Sequence, residues 1–223
     1  MNNEHENKII LSGGTHDLDK FNDSAQIIIK GKTHVNAINL HNNMNLFFIL
    51  KKDASLVLNL FDYALDLKTN ITVQADDNSS FIINAAFISE VKYELNIDTK
   101  LYGDNINGSL NVRGINELEG IVKVVMNGTV AGETKGNVLS EYARIINKSN
   151  FSNILIPNLI VNTNEVEANH GVSVGHISET QVFYLMSKGI TRTTAVKMIE
   201  EGFILSIMSD DVKQKIQNIL VGR

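Results

Sequence analysis

The chain of 223 residues contains no cysteine. Disulfides, thiolate metal ligands and cysteine nucleophiles are therefore excluded within it. No run approaches the ~18 apolar residues of a membrane span. The first residues, MNNEHENK, are polar and lack the apolar core of a signal peptide. The expectation is a cytoplasmic protein with no membrane partner. A basic stripe is also missing: the formal charge is -5 and the pI about 5.7, which argues against a nucleic-acid partner. Tryptophan is absent and proline occurs once, while Asn, Ile and Lys are frequent. That tilt reads as nucleotide bias in the source genome rather than as function.

What is present is an ordinary globular balance, 43% hydrophobic and 20% charged, enough to bury a sizeable core. From Lys8 onward, short apolar runs alternate with polar punctuation: QIIIKG (26–31), LFFIL (46–50), SLVLNLF (55–61), SFIINAAFI (80–88), GIVKVVMNG (120–128) and NILIPNLIV (153–161). Lys92-Tyr93-Glu94-Leu95-Asn96-Ile97 and Ser109-Leu110-Asn111-Val112-Arg113 alternate strictly, so one set of side chains faces inward and the other solvent. Turn residues separate the runs, among them Gly13-Gly14, Asp76-Asp77-Asn78, Gly103-Asp104-Asn105 and Gly136-Asn137. No helical period of useful length appears before Ser178, so residues 1–177 read as one all-β body. Asn-Gly at 107–108 and 127–128 favours the hairpins of a sandwich. The many Asn and Ser residues at outward strand positions argue against it. Pattern alone leaves a β-helix and a sandwich evenly matched, with a barrel as a third possibility.

The character changes over 178–223. Ser178-Glu179-Thr180-Gln181 has the form of a capping box, and Val182, Leu185 and Met186 then share a face. Gly189 is placed to stop that helix, Thr191 to cap the next and Gly202 to end it, with Ala195, Met198 and Ile199 facing inward. Ser209-Asp210-Asp211 begins a third helix with the stripe Val212, Ile216, Ile219 and Leu220. Three such helices cannot form an independent core and must pack on the β body or on a partner.

No catalytic constellation is readable. Gly13-Gly14 lacks the context of a phosphate loop, and His34 and His41, seven apart on a continuous strand, point to opposite faces and make no metal pair. Asp98, Ser140 and Glu141 show no nucleophile–base arrangement. The carboxylate pairs Asp76-Asp77, Glu200-Glu201 and Asp210-Asp211 read as turn or helix-end charges.

The segment Ala168-Asn169-His170-Gly171-Val172-Ser173-Val174-Gly175, followed by Phe183-Tyr184-Leu185-Met186-Ser187-Lys188-Gly189-Ile190, resembles the SufB/SufD family, the scaffold proteins of the SUF iron–sulfur cluster assembly system. The family pattern runs P-x-L-x-I, V-x-x-x-H-G-A-T-V-G, F-Y-L-x-S-R-G-I, an alanine in the following helix, and G-F. Here it falls on Pro157, Leu159, Val161, Val166, His170, Gly171, Ser173, Val174, Gly175, Phe183, Tyr184, Leu185, Ser187, Gly189, Ile190, Ala195, Gly202 and Phe203. Lys135-Gly136-Asn137-Val138-Leu139 weakly resembles the K-G-V-L late in the family's core.

The resemblance implies a mainly β chain: a right-handed parallel β-helix over 1–177, then a small helical domain over 178–223. It tips the even choice above toward the β-helix. It also implies pairing with a SufB-like or identical subunit through the last coils, and binding of a SufC-type ABC ATPase through the C-terminal helices. The family's long N-terminal helical region has no counterpart here, which the resemblance reads as a minimal version. The cluster-ligating cysteine of the SufB branch is missing, and the cysteine that SufD relatives often carry two residues before the motif histidine is Ala168. The expectation is thus a SufD-like, non-catalytic scaffold that binds no cofactor alone, with an iron–sulfur cluster at the interface of the complex.

His170 is the implied metal or interface residue; read from the residues alone, it is a polar turn residue beside Gly171. Phe183, Tyr184, Gly189, Ile190, Gly202 and Phe203 are the implied partner-binding positions. Residues 203–208, FILSIM, are either an ATPase-docking face or ordinary helix packing. Glu165 and Glu167 flank the same region but read more simply as a solvated strand face, and His176 as a helix-entry residue. The competing functions are a β-helix enzyme acting on polysaccharides and a self-assembling β-helix.

Overall fold

A computed structural model describes residues 7–18, 25–39, 43–63 and 66–221. The chain begins with β1 (Asn7–Leu11), β2 (Gly14–Asp17), β3 (Ala25–Ile29), β4 (Lys32–Ile38) and β5 (Met44–Leu50). It continues through β6 (Ser55–Tyr63), β7 (Leu67–Ala75), β8 (Ser80–Ser89), β9 (Lys92–Leu101) and β10 (Asn107–Asn116). The last strands are β11 (Ile121–Val130), β12 (Asn137–Asn147), β13 (Asn153–Val161) and β14 (Val166–Gly175). Odd-numbered strands form one seven-stranded sheet, β1-β3-β5-β7-β9-β11-β13. Even-numbered strands form the other, β14-β12-β10-β8-β6-β4-β2. Neighbours within each sheet run parallel and in register, so each coil lays one strand on each sheet. This is a parallel β-helix, and it settles the even choice left by the pattern. The Asn-Gly pairs are not hairpin turns: Asn107-Gly108 opens β10, and Asn127-Gly128 lies inside β11.

Alternation builds the core. In β9 every second residue is buried, from Tyr93 through Leu95 and Ile97 to Leu101. The same inward rows stack coil on coil into one continuous cluster between the sheets. Burying each such side chain is worth about 1.5–3 kcal/mol. Inward glycines make room for rings: a Cβ on Gly108 or Gly114 would lie 2.3 Å from the Phe81 or Phe87 ring, respectively.

The abundant asparagines are structural, contrary to the reading of compositional bias. Asn45, Asn70 and Asn96 form a ladder on the outer face of the odd sheet, with amide bonds of 2.6 and 2.9 Å. Asp98, Asn127 and Asn158 form a second, and Asn36, Asn59, Asn84 and Asn111 a third on the even sheet. At one corner Asp53, Asn78 and Asn105 each take positive φ and are joined by side-chain bonds of 3.2 Å. Asn and Asp tolerate that left-handed conformation better than other side chains.

Three helices follow: α1 (Glu179–Ser187), α2 (Arg192–Leu205) and α3 (Asp210–Val221). Ile204, Met208, Val212 and Ile216 share a second core with Ile38, Phe61, Ala86, Ile88, Ile115 and Ile146 of the even sheet. The helices therefore pack on the β body, as their size required. Ser209 Oγ donates to Asn59 Oδ1 at 2.8 Å, and the Asn36 amide to Asp211 at 3.3 Å, seating α3 on the asparagine ladder.

Two helix signals differ from expectation. Ser178 is the N-cap of α1, but its side chain makes no capping bond. Gly202 lies within α2, which runs on to Leu205, because Ile204 gains a buried position against the sheet. Thr191 does cap α2, accepting from the Thr194 amide at 3.3 Å, and Gly189 ends the first helix at φ 86°. The inward set of α2 is Ala195, Glu200 and Ile204, whereas Met198 is exposed. Among the described residues, no helix is long and apolar enough to cross a membrane.

Candidate functional site

The C-terminal end of the solenoid is open. β13 pairs with β11 on one side and β14 with β12 on one side, and no described strand covers the other edge of either. Leu155, Leu159 and Val166 occupy inward positions yet are only partly buried, because the coil that would cover them is absent from the sheet order. Ile154, Ile156 and Ile160 form an exposed apolar row on the outer face of β13, and Val172 and Val174 are exposed on β14. Unpaired strand edges carry free N–H and C=O groups that template pairing with another chain. The single proline, Pro157, sits in this edge strand, where a missing donor is tolerated.

His170 lies at this end. Register places it beside Glu141 of β12, and it shares the inward parity of Val166 and Ala168. The ring is exposed because the coil ends there. The neighbouring Gly171 faces outward under Tyr142: a Cβ there would meet the tyrosine ring at 3.2 Å. The fit is tight: a larger residue there would require the Tyr142 ring to give by a few tenths of an ångström. Glu165 and Glu167 are both exposed. His176 Nδ1 is 2.8 Å from the Asn147 carbonyl oxygen and pins the exit from β14 toward α1. His34 is exposed on β4, and His41 lies outside the described residues.

Glu141 was missed as a site residue by sequence reasoning. Its carboxylate is fully buried inside the solenoid, with no hydrogen-bond partner for either oxygen. Burial pushes its carboxyl up to about 7. The strand Leu139-Ser140-Glu141-Tyr142-Ala143-Arg144-Ile145 alternates, and its apolar members face inward. That alternation alone puts Glu141 in the interior and was the available signal.

The helices present a second surface. Phe183 and Tyr184 are 61% and 63% exposed, and Met186 and Met198 are exposed beside them. Tyr184 and Leu185 border a shallow apolar depression with Ile199, of about 460 Å³. Lys188 Nζ stands 5.5 Å from the Tyr184 ring centroid. Ile190 is half-buried, while Gly202 is exposed with open space around it. Phe203 belongs elsewhere: it is packed against the second core, between the helices and the even sheet, with the guanidinium carbons of Arg113 and Arg144 at 5.6 and 5.8 Å from its ring. Within 203–208, Ile204 and Met208 are buried the same way, so most of that run is packing.

A charged clasp joins the two parts. Lys148, between β12 and β13, bonds both to Glu117 and, at 2.6 Å, to Glu200 of α2. Burial by itself lowers the Lys148 pKa, but the two carboxylates outweigh it and hold the ammonium above its ordinary value.

Among the described residues, no group of three or more His, Cys, Asp or Glu side chains is placed to hold a metal ion. The arrangement offers two candidate binding surfaces, an open strand end carrying His170 and an apolar helical face.

Residues 21–203 match the family described as SUF system FeS cluster assembly, SufBD core domain. Among curated proteins, an iron–sulfur cluster assembly SufBD family protein of Archaeoglobus fulgidus is 25% identical over 219 residues, covering 79% of this chain and 56% of that protein. The iron–sulfur cluster assembly protein SufD of Escherichia coli is 26% identical over 166 residues, covering 67% of this chain and 37% of its own length. SufD of Bacillus subtilis is 29% identical over 68 residues, covering 29% of this chain and 16% of its own length. The chain thus spans little more than half, or less, of these relatives.

Proposed function

Because the chain belongs to the SufBD core family of the SUF iron–sulfur cluster assembly system, we propose that it is a SufD-like, non-catalytic scaffold subunit. It pairs with a SufB-like or identical subunit through β13 and β14, and it binds a SufC-type ABC ATPase through α1 and α2. The observation that carries the reading is the open end of the solenoid, with two unpaired edges beside Ile154, Ile156 and Ile160. The cluster is the cargo of such a complex. This chain has no thiolate to offer, so cysteine ligands come from the partner, and His170 is the side chain it presents at the joint. The exposed Phe183 and Tyr184 anchor the ATPase contact, since aromatic side chains dominate interface energies. The work of the protein is then mechanical: motion of the ATPase reaches the last coils through α2 and the Lys148 clasp.

The test is size-exclusion chromatography with a SufC-type ATPase, with and without ATP. Removing 178–223 is unsuitable, because it would strip the cover from Ile38, Phe61 and Ile115. The doubly substituted Phe183→Asp/Tyr184→Asp is used instead. Wild type is expected to co-elute with the ATPase, and the variant to elute alone while keeping its melting temperature. Wild type eluting separately under both conditions would defeat the reading.

A further inference from the structure

We propose that Glu141 is a positioning residue for His170: its carboxylate reaches one coil along the solenoid interior and accepts a hydrogen bond from the His170 ring, turning the other ring nitrogen toward the open end. The role given to that second nitrogen rests on the reading of this end as the subunit joint; the bond itself does not.

Three observations carry it. The first is register. Glu141 and His170 are direct partners across β12 and β14 and share inward parity, so their side chains leave the sheet side by side. Adjacent parallel strands lie about 4.8 Å apart, within reach of a side-chain hydrogen bond by rotamer change alone. The second is the orphaned state of the carboxylate. Both oxygens are buried without a partner, a condition that costs about 1–3 kcal/mol or more and calls for a cause.

The third is that, among the described residues, the positions around the carboxylate offer no other free partner. On the opposite side Glu141 is in register with Leu110, and its inward neighbours on its own strand are Leu139 and Ala143. Across the interior stands Gly128, where a Cβ would come within 2.8 Å of Oε1, so the glycine leaves room for the carboxylate. Thr99, in register with Gly128, already gives its hydroxyl to the Asn127 carbonyl. His170 is the one titratable side chain in register with the carboxylate on the open side. An apolar residue at 141 would have completed the core at no electrostatic cost, and the raised carboxyl pKa reflects that cost. A carboxylate behind an imidazole fixes the ring's tautomer and orientation, as it does wherever histidine must present one chosen nitrogen.

The experiment is nitrogen-15 NMR of the histidine rings in the full chain alone, at a fixed pH near 8.5, with His170→Gln to assign the signal. No partner or iron is added, so the outcome is independent of whether the protein binds an ATPase or a second subunit. In wild type one His170 tautomer is expected to dominate. Glu141→Leu and Glu141→Met are expected to shift that ratio by roughly tenfold or more, the size of a hydrogen bond to a charged acceptor. Glu141→Gln retains an acceptor oxygen and is expected to fall between. A purely structural Glu141 would change melting temperature while leaving the His170 signals in place. Identical ring-nitrogen shifts in wild type and either apolar variant would overturn the proposal, and having two such variants guards against one failing to fold.

Discussion

One buried carboxylate carries a pH dependence that can be tested. The Glu141 carboxyl is raised by burial from 4.5 to about 7, so the folded state holds its proton more tightly than the unfolded chain does. The sign follows: its contribution to stability is full below about pH 4.5 and is lost as pH rises through about 7. A shift of that size corresponds to at most about 3 kcal/mol. Urea unfolding at pH 5 and pH 8 should show wild type losing up to roughly 2–3 kcal/mol more than Glu141→Leu over that interval, and less to the extent that a bond from His170 stabilises the carboxylate. The same run of sequence shows how a residue can be legible yet overlooked. Leu139, Ala143 and Ile145 declare the inward parity of their strand, and Glu141 shares it. Glu141 has no nucleophile–base partner in the sequence, and its direction follows only from the parity of these neighbours. The His-Gly pair is legible as a motif, but the Tyr142 ring that stands over Gly171 needs two strands in register and is invisible in one.

At the scale of elements, the clasp between helix and solenoid is the contact most exposed to a single change. Lys148 sits between the carboxylates of Glu117 and Glu200, both nearly buried. Lys148→Met removes the ammonium that both carboxylates share. Breaking a buried ion network from one side costs about 3–5 kcal/mol, and partial solvent access at Lys148 brings the expectation here to the low end, roughly 3. Adding Glu117→Gln and Glu200→Gln to Lys148→Met should recover most of that loss in thermal unfolding; no recovery would mean that the carboxylates are not what the lysine stabilises.

Elements were the level at which the sequence was most informative. Strict alternation over residues 92–97 marks the first part of β9 and its inward face, the strand running on to Leu101, and Gly189 and Thr191 mark real helix ends. The architecture was harder, because alternation is the same in a sandwich and in a solenoid. The signal that separates them was present: Asn45, Asn70 and Asn96 recur 25 and 26 residues apart and stack directly on one another. A sandwich gives no reason for such a period. Gly202 misled because a glycine near a helix end usually stops it, whereas here burial of Ile204 and Met208 carries the chain past it.

For the whole molecule, the two proposed partners meet different surfaces, and that separation can be tested. The strand end offers backbone edges beside Ile154, Ile156 and Ile160, while the helical face offers Phe183 and Tyr184. Charge on an edge strand is the usual way in which proteins prevent edge-to-edge association. Ile156→Lys/Ile160→Lys alters outward, exposed positions on β13, so stability should stay within about 0.5 kcal/mol for each substitution. Sedimentation velocity should show this variant failing to pair with itself or with a SufB-like subunit while still binding the ATPase. Phe183→Asp/Tyr184→Asp should do the reverse. If either variant lost both partners while remaining folded, the two surfaces would be one interface, and the helical unit could not act as a lever on the strand end. If each loses only its own, the coupling between them runs through the solenoid and the packed helices, of which the clasp is one link, and Lys148→Met should weaken the effect of ATP on subunit pairing without abolishing either contact.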